Sequence, residues 1–592
     1  EGSIGGTVIV RTRKPLEMAA NKFSASTLAQ YSEVSGETDP QLSAMYSWKN
    51  DNETFGALVS LVRQERNLRR DGIEAWSWAK RDITMADNTV HQDVYSSGGG
   101  GSAMFSQKRV RTGANLTLQY LPSENTEVTF NALDSTLDAD NENQNFLWLP
   151  GYGDAQYTDV TIINHDKVGS MLVAGTLGLS PSGDNILDET KVRNSTLKTT
   201  SYDLKIENEG EVWTSSVHLG YTEGSGGSAQ DRSVGWGGNY VHSYDASQAQ
   251  DIQTSYGADP ADGNQWNLSF LRYDSNDAKD DEKYLQTDFE RNIEVGIFSA
   301  VKFGVKYRDH ARYNTKQTTD ARTDLQWSLA DYSLVMPNDF LSDQGSTGTL
   351  SNYAITDADK IRREADALGW DYRMLKASTF DINEKILAAY IKADIDVDGL
   401  RGNVGVRLVQ TDQSSSAYVG ENWATEDSDY VDILPSLNLV VDLDDDLIMR
   451  ISAARVMSRP DYADMTSSTS YNTETQTGTG GNSQIDPYRA TQFDLGLEWY
   501  FSDTGLLSGA FFHKDIQSFI DATASLEVHE GVEILINRPV NGKGGTIQGL
   551  EFGYQQELYQ GIGVSANYTY VDGEAKDADG NDVVIPGNSE HT

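Results

Sequence analysis

The feature that most constrains this chain is a period-two alternation sustained for longer than a small soluble hairpin needs. Residues 434–462 read LPSLNLVVDLDDDLIMRISAARVMSRPDY, two amphipathic strands joined by an acidic turn. Leu437, Leu439 and Val441 alternate with Ser436, Asn438 and Asp442; Leu447, Met449, Ile451 and Ala453 alternate with Arg450 and Ser452. A strand that tolerates Arg and Asn opposite an aliphatic row fits lipid on one side and a water-filled lumen on the other. The edge of a soluble β-sandwich gives the same alternation. The choice therefore rests on the remainder of the chain.

The same beat runs through all 592 residues. Strands are expected at 22–32, 41–48, 54–64, 115–120, from 127, 201–207, 212–221, 283–290, 297–307, 384–397, 401–410, 433–441, 447–455, 490–501, 506–514, 546–556 and 562–571, seventeen in all. Short turns, such as 50–53, 121–126, 208–211 and 398–400, fall on every second connection, and long polar stretches on the others. Outer-membrane barrels have short periplasmic turns and longer extracellular loops, whereas a sandwich has no reason to keep its long connections at one end. Aromatics fall where a membrane interface would lie, with Trp499 and Phe501 on the periplasmic side and Tyr221, Tyr307, Tyr568 and Tyr570 on the outer side.

Composition agrees with an all-β transmembrane barrel. Mean hydropathy is −0.52, and no apolar run reaches the roughly 18 residues that a membrane helix requires. Gly 53 and Tyr 29 against Pro 12 suit many long strands with aromatic girdles. Cys 0 excludes disulfides and thiolate chemistry. Lys+Arg 47 against Asp+Glu 89 gives a net charge of −42, which argues against a nucleic-acid partner and is assigned to solvated acidic loops.

The chain opens on EGSIGGTVIVRTRKP, a Gly-rich turn into a short β run ended by Pro15. Further on come GGNSQIDPYRATQFDLGLEWYF, LLSGAFFHKDIQSFI, GKGGTIQGLEFGYQQEL and NYTYVDGEAKDADGNDVVIPGNSEHT. Together with the hairpin these segments resemble TonB-dependent outer-membrane receptors, the opening being similar to the last plug strand and the rest to the distal barrel. Arg459-Pro460-Asp461-Tyr462, read with the GSIGG turn, resembles the large-loop receptors of xanthomonads, caulobacters and marine gammaproteobacteria. The resemblance implies a plug end over residues 1–18 and an antiparallel barrel over 19–592. It further implies twenty-two strands in the full protein, with about five beyond Thr592 and most of the plug and the TonB box before Glu1.

The implied function is active import across the outer membrane of a Gram-negative bacterium, powered by the TonB–ExbB–ExbD complex, without enzyme chemistry or cofactor. Lipid and lipopolysaccharide are the implied surroundings. The residues agree: the eight His, at 91, 165, 218, 242, 310, 513, 529 and 591, show no metal-ligand spacing, and no nucleophile elbow, Walker loop or zincin motif is present. The acidic run 577–582 lacks a calcium loop's spacing and bidentate Glu, and reads as an extracellular turn.

Substrate must be read from the loops. Trp76, Trp78, Trp148, Trp236, Trp266, Trp327, Trp370 and Trp423 are expected there, several beside polar groups as in Gly369-Trp370-Asp371-Tyr372-Arg373. Aromatic faces next to Asp, Asn and Arg suit a sugar, whose C–H face stacks while its hydroxyls take polar contacts. The expected binding set is Trp76, Trp78, Trp148, Trp236, Trp266, Trp370, Tyr372 and Arg373, with an oligosaccharide as cargo. A ferric siderophore or other metal chelate is the alternative, for which Arg66, Arg69 and Arg70 form the obvious basic cluster, also readable as a lipopolysaccharide contact. A passive porin or structural outer-membrane protein is the third reading.

Overall fold

The computed structural model describes residues 11–592 except 77, 151–154, 166–168, 249–251, 343, 345–347, 473–476, 530–531, 560, 579, 584 and 586–588. Its main sheet contains nineteen strands, two of which, Tyr372–Met374 and Asp582–Val583, are short additions. The remaining seventeen are β1 (Lys22–Tyr31), β2 (Thr38–Lys49), β3 (Phe55–Trp76), β4 (Gly99–Ser123), β5 (Thr126–Trp148), β6 (Ile186–Glu209), β7 (Thr214–Gly238), β8 (Asn267–Val295) and β9 (Phe298–Thr319), followed by β10 (Phe380–Val397), β11 (Leu400–Val419), β12 (Asn422–Asp444), β13 (Leu447–Ser458), β14 (Tyr488–Ser502), β15 (Gly505–Ser518), β16 (Gly544–Tyr559) and β17 (Ile562–Lys576). Each pairs antiparallel with its neighbours in sequence, an up-and-down meander. Among the described residues β1 and β17 do not pair with each other.

Register shows how alternation becomes a wall with two environments. Leu439, Ile451, Leu495, Phe511 and Leu550 stand directly across from one another on β12 to β16. Three of them remain more than a third exposed, Leu495 at 38%, Phe511 at 37% and Leu550 at 43%, as side chains meant for lipid must. The adjacent row is Asn438, Ser452, Asp494 and Phe512, largely polar and turned to the other face. Near the short turns an exposed girdle of Trp48, Phe55 and Tyr120, with Trp213 and Phe303 further round, marks the periplasmic interface. Gly296 and Gly399 adopt φ of 63° and 71° in two of these turns, a conformation cheap only for glycine.

Residues 11–18, placed by sequence at the end of a plug, run along the inner face. Lys14 Nζ lies 2.5 Å from Glu127 Oε1, and the Leu16 amide donates to Gln119 Oε1 at 3.0 Å. Pro15 and Leu16 rest on Gly56, where a Cβ would sit 3.0 Å from both.

The upper strands differ from expectation. Strands expected at 115–120, 201–207 and 283–290 extend to Gly99–Ser123, Ile186–Glu209 and Asn267–Val295. Above the bilayer no lipid enforces alternation, yet the backbone hydrogen-bond ladder continues. Nor is every outer connection long: 32–37 joins β1 to β2, and 420–421 closes β11 and β12 into a tight hairpin where a long loop was expected before residue 433. The long connections, 77–98, 149–185, 239–266, 320–379, 459–487 and 519–543, carry small sheets and the helix Ala358–Asp366.

Candidate functional site

Two of the long connections pack on opposite faces of the wall. Residues 320–379 form a cap on the upper parts of β3 to β8. Asp71, Met104, Gln144, Thr190, Val234 and Leu271 lie directly across from one another there. In β3, Asp71 shares its face with the lipid-facing Leu61, because no register shift intervenes. The cap covers this row. Gln144 exchanges hydrogen bonds with the Thr356 backbone at 2.9 and 3.0 Å, Thr190 Oγ1 donates to Thr356 Oγ1 at 2.8 Å, and Tyr353 Oη donates to the Gln144 carbonyl at 2.8 Å. Buried Arg232 closes the assembly with a bidentate pair to Asp366, at 2.8 and 2.7 Å, and also bonds Tyr273 Oη. Beneath it Asp188 is fully buried, with neither carboxylate oxygen hydrogen-bonded, and desolvation holds its pKa well above the usual carboxylate range.

Packing among the loops takes several of the expected ligand-binding aromatics off the surface. Trp148 ends β5 and Trp236 lies within β7, both in strands rather than loops; Trp266 directly precedes β8. Their exposures are 1%, 0% and 0%. Trp148 stacks on Tyr244 at 4.2 Å, Trp236 donates to Thr356 Oγ1 at 3.0 Å, and Trp266 meets Phe146 edge-on at 5.2 Å. The expectation that these three rings offer free stacking faces is thereby corrected: their faces are consumed by packing, because the strands continue into hydrophobic cores above the bilayer, Trp148 in a small one with Tyr157, Leu172 and Tyr244, and Trp236 and Trp266 in the one under the cap. Trp327 and Trp370 pack against the same core, and Trp370 donates to the Ala365 carbonyl at 2.9 Å.

Trp78, Tyr372 and Arg373 retain open surface. Trp78 stacks on Tyr95 at 5.8 Å, while Tyr372 and Arg373 ride on the short strand beside the end of β9. Trp76 pairs by backbone with Gly99 at the end of β3; its side chain lies outside the described residues. Trp423 belongs to β12, edge-on to Tyr418 at 5.0 Å. Two members of the basic cluster are occupied: Arg69 is held by Asp71 and Asp339, and Arg70 by Glu74.

On the inner face residues 459–487 fold down against the wall. Arg459 Nε lies 3.2 Å from Glu384 Oε1, and its guanidinium donates to Thr411. Tyr462 Oη is 2.6 Å from His310 Nδ1, whose other nitrogen faces Asp280 at 2.8 Å. His310 and Glu384 stand opposite in register, on the face away from exposed Phe303, Val305 and Tyr307. Met465 and Ile485 bury beneath the loop against Phe380, Ile382 and Ala417. Between loop and wall remains a crevice of about 720 Å³, lined among others by Arg312, Asp461, Tyr462, Asp464, Thr466 and Gly480. Burial and neighbouring Asp461 raise the Asp464 pKa. The motif 459–462 was visible in sequence, but its inward course and the crevice were not, since both depend on partners some 50 to 180 residues away.

Among the described residues no three His, Asp or Glu side chains converge to hold a metal ion. In the acidic run 577–582, Lys576 pairs with Asp582 at 2.6 Å and Asp577 accepts from the Asn581 side chain at 2.9 Å; residue 579 lies outside the described residues.

A wall with a lipid-facing outer row, a polar inner row and elaborate extracellular loops defines an outer-membrane β-barrel of receptor type. The family described as TonB dependent receptor-like, beta-barrel matches residues 188–592, and the chain belongs to it. Proteins of this family are transporters rather than enzymes. Solved structures with the same fold include the ferric-catecholate import receptor Fiu of E. coli K12, 12% identical with a TM-score of 0.51, covering 97% of this chain and 68% of that one. The siderophore receptor PiuA of Acinetobacter baumannii is 13% identical with a TM-score of 0.49, covering 96% and 66%. The alcaligin receptor FauA of Bordetella pertussis is 10% identical with a TM-score of 0.46, covering 97% and 64%. The chain thus spans about two-thirds of the length of these receptors. No curated protein matches it.

Proposed function

We propose that this receptor imports an uncharged, hydroxyl-rich ligand, an oligosaccharide, across the outer membrane, with energy supplied through TonB–ExbB–ExbD acting on a plug inside the barrel. The observation that carries the cargo is the state of the extracellular cations. Arg69, Arg232, Arg362, Arg373, Arg489 and Arg538 are each paired with a carboxylate, in a chain of net charge −42. An anionic ferric chelate needs convergent cations and a favourable field. Here it would have to displace bound carboxylates against a negative potential, a penalty that a neutral glycan avoids.

The metal-chelate alternative draws on the cargo of Fiu and PiuA, whose 12% and 13% identity carries only the fold. A passive pore fits poorly with a loop folded into the lumen. Calorimetry of the full-length receptor in detergent tests the reading, with maltohexaose, cellohexaose and xylohexaose on one side and gallium-loaded enterobactin and citrate on the other. Saturable binding of a neutral hexasaccharide is expected. Binding of the gallium chelates alone would overturn it.

A further inference from the structure

We infer that the crevice beneath residues 459–487 is the glycan seat, holding two to three sugar units between the Asp461–Asp464 turn and the inner wall of β9 and β10. This rests on the neutral-glycan reading above. Its volume of about 720 Å³ falls within the 300–1,000 Å³ common for small-ligand sites.

The lining supplies what a sugar requires. Asp461 and Asp464 stand three residues apart on one turn, closed by the Asp464 amide donating to the Asp461 carbonyl at 3.0 Å. Two carboxylates so placed accept hydrogen bonds from neighbouring ring hydroxyls. Arg312, on the facing wall with its Nη1 3.7 Å from Asp280, turns its remaining donors to ring and glycosidic oxygens. Tyr462 gives an aromatic surface for the C–H face, and its hydroxyl is already held by His310 at 2.6 Å, so the ring is positioned before the ligand arrives. Backbone without a side chain at Gly480 completes the lining. The cap offers no comparable set: Gln144, Thr190 and Trp236 are engaged with Thr356 rather than facing an opening.

Two anchors make the seat a fixed part of the wall. Arg459 on Glu384, and Tyr462 on His310, tie the first residues of the loop to β10 and β9. His310 is therefore a positioning residue. His310→Phe should weaken binding while leaving the carboxylate contacts in place, and Tyr462→Phe should reproduce that loss.

The test is calorimetry of the full-length receptor with the hexasaccharide that binds wild type best, comparing Asp461→Ala and Asp464→Ala. Each is expected to weaken binding tenfold or more. If either lacks the heat-modifiable mobility of a folded barrel, the isosteric Asp461→Asn and Asp464→Asn carry the same prediction at threefold or more. Wild-type binding that survives all of these substitutions overturns the crevice and leaves the cargo reading standing. Absence of hexasaccharide binding by wild type, with saturable uptake of a gallium chelate, overturns the cargo reading and with it the glycan seat.

Discussion

Two stretches of β3 that share one face meet opposite fates. Val59 and Leu61, low on the strand, stand 42% and 54% exposed to the surroundings. Arg69 and Asp71, further up the same face, have side chains only 11% and 8% exposed, because the cap bonds them through Asp339 and the Leu341 amide. The sheet does not change between them; its solvent does. Where lipid covers the outer face, apolar side chains suffice and no protein partner is needed. Above the bilayer the same face would meet water, and the chain satisfies it with a hydrophobic core and paired polar groups of its own.

The sharpest way to break this comparison is Trp236→Ala. Truncating a fully buried Trp should cost about 3–5 kcal/mol, and the loss should fall on the cap. Hydrogen exchange is expected to quicken in residues 320–379 while β10 to β13 keep their protection. Uniform loss across both regions would mean that cap and membrane wall unfold as one unit.

Ile451→Arg probes the lower region. A cation on the lipid face near mid-bilayer costs about 2–4 kcal/mol, so assembly into lipid vesicles should fail or slow. Ser452→Arg, one residue on and facing the lumen, should assemble normally by heat-modifiable mobility. Equal effects would reverse the facing of β13.

Asp188→Asn sharpens the description of the cap through pH. Folded-state burial holds Asp188 protonated, whereas the unfolded chain ionises it above its ordinary pKa. Its contribution to cap stability therefore falls as pH rises from about 4 toward neutrality. The variant lacks that slope, so its stability relative to wild type should improve steadily over this window in denaturant titrations. A difference that stays flat with pH would place Asp188 in contact with water. The smallest effect is expected for Arg373→Gln, whose ion pair with Asp320 is largely exposed; cap stability should stay within about 0.5 kcal/mol.

The same physical division decided what was legible in the sequence. Seventeen strands and their short turns were readable because lipid enforces strict alternation, as in Leu439, Ile451 and their neighbours. Above the membrane that constraint ends, so the reach of β4 into Gly99 to Ser102 and of β8 through Asp274 to Glu282 left no periodic trace. Trp148 and Trp236 stood among polar residues and read as exposed loop aromatics; Trp236 is buried by residues 320–379 folding back over distant strands, and Trp148 by Tyr157, Leu172 and Tyr244 from two other loops. For the candidate site, Arg459 to Tyr462 was visible as a motif and Tyr372 and Arg373 as surface groups. His310, Glu384, Arg312 and Asp464 carried no local signal, since their roles arise only when β9, β10 and the loop meet.

The most direct test of one sheet face in two environments is a single-cysteine spin-label scan of β3 from Ala57 to Asp71, in the full-length receptor reconstituted in lipid. None of the 592 residues is Cys, so within this stretch an introduced thiol has no native competitor. The account predicts oxygen accessibility alternating with a period of two through Val59 and Leu61, then falling for both oxygen and a polar nickel reagent at positions 69 and 71. Continued oxygen accessibility at those two positions, or ready access of the nickel reagent, would contradict it.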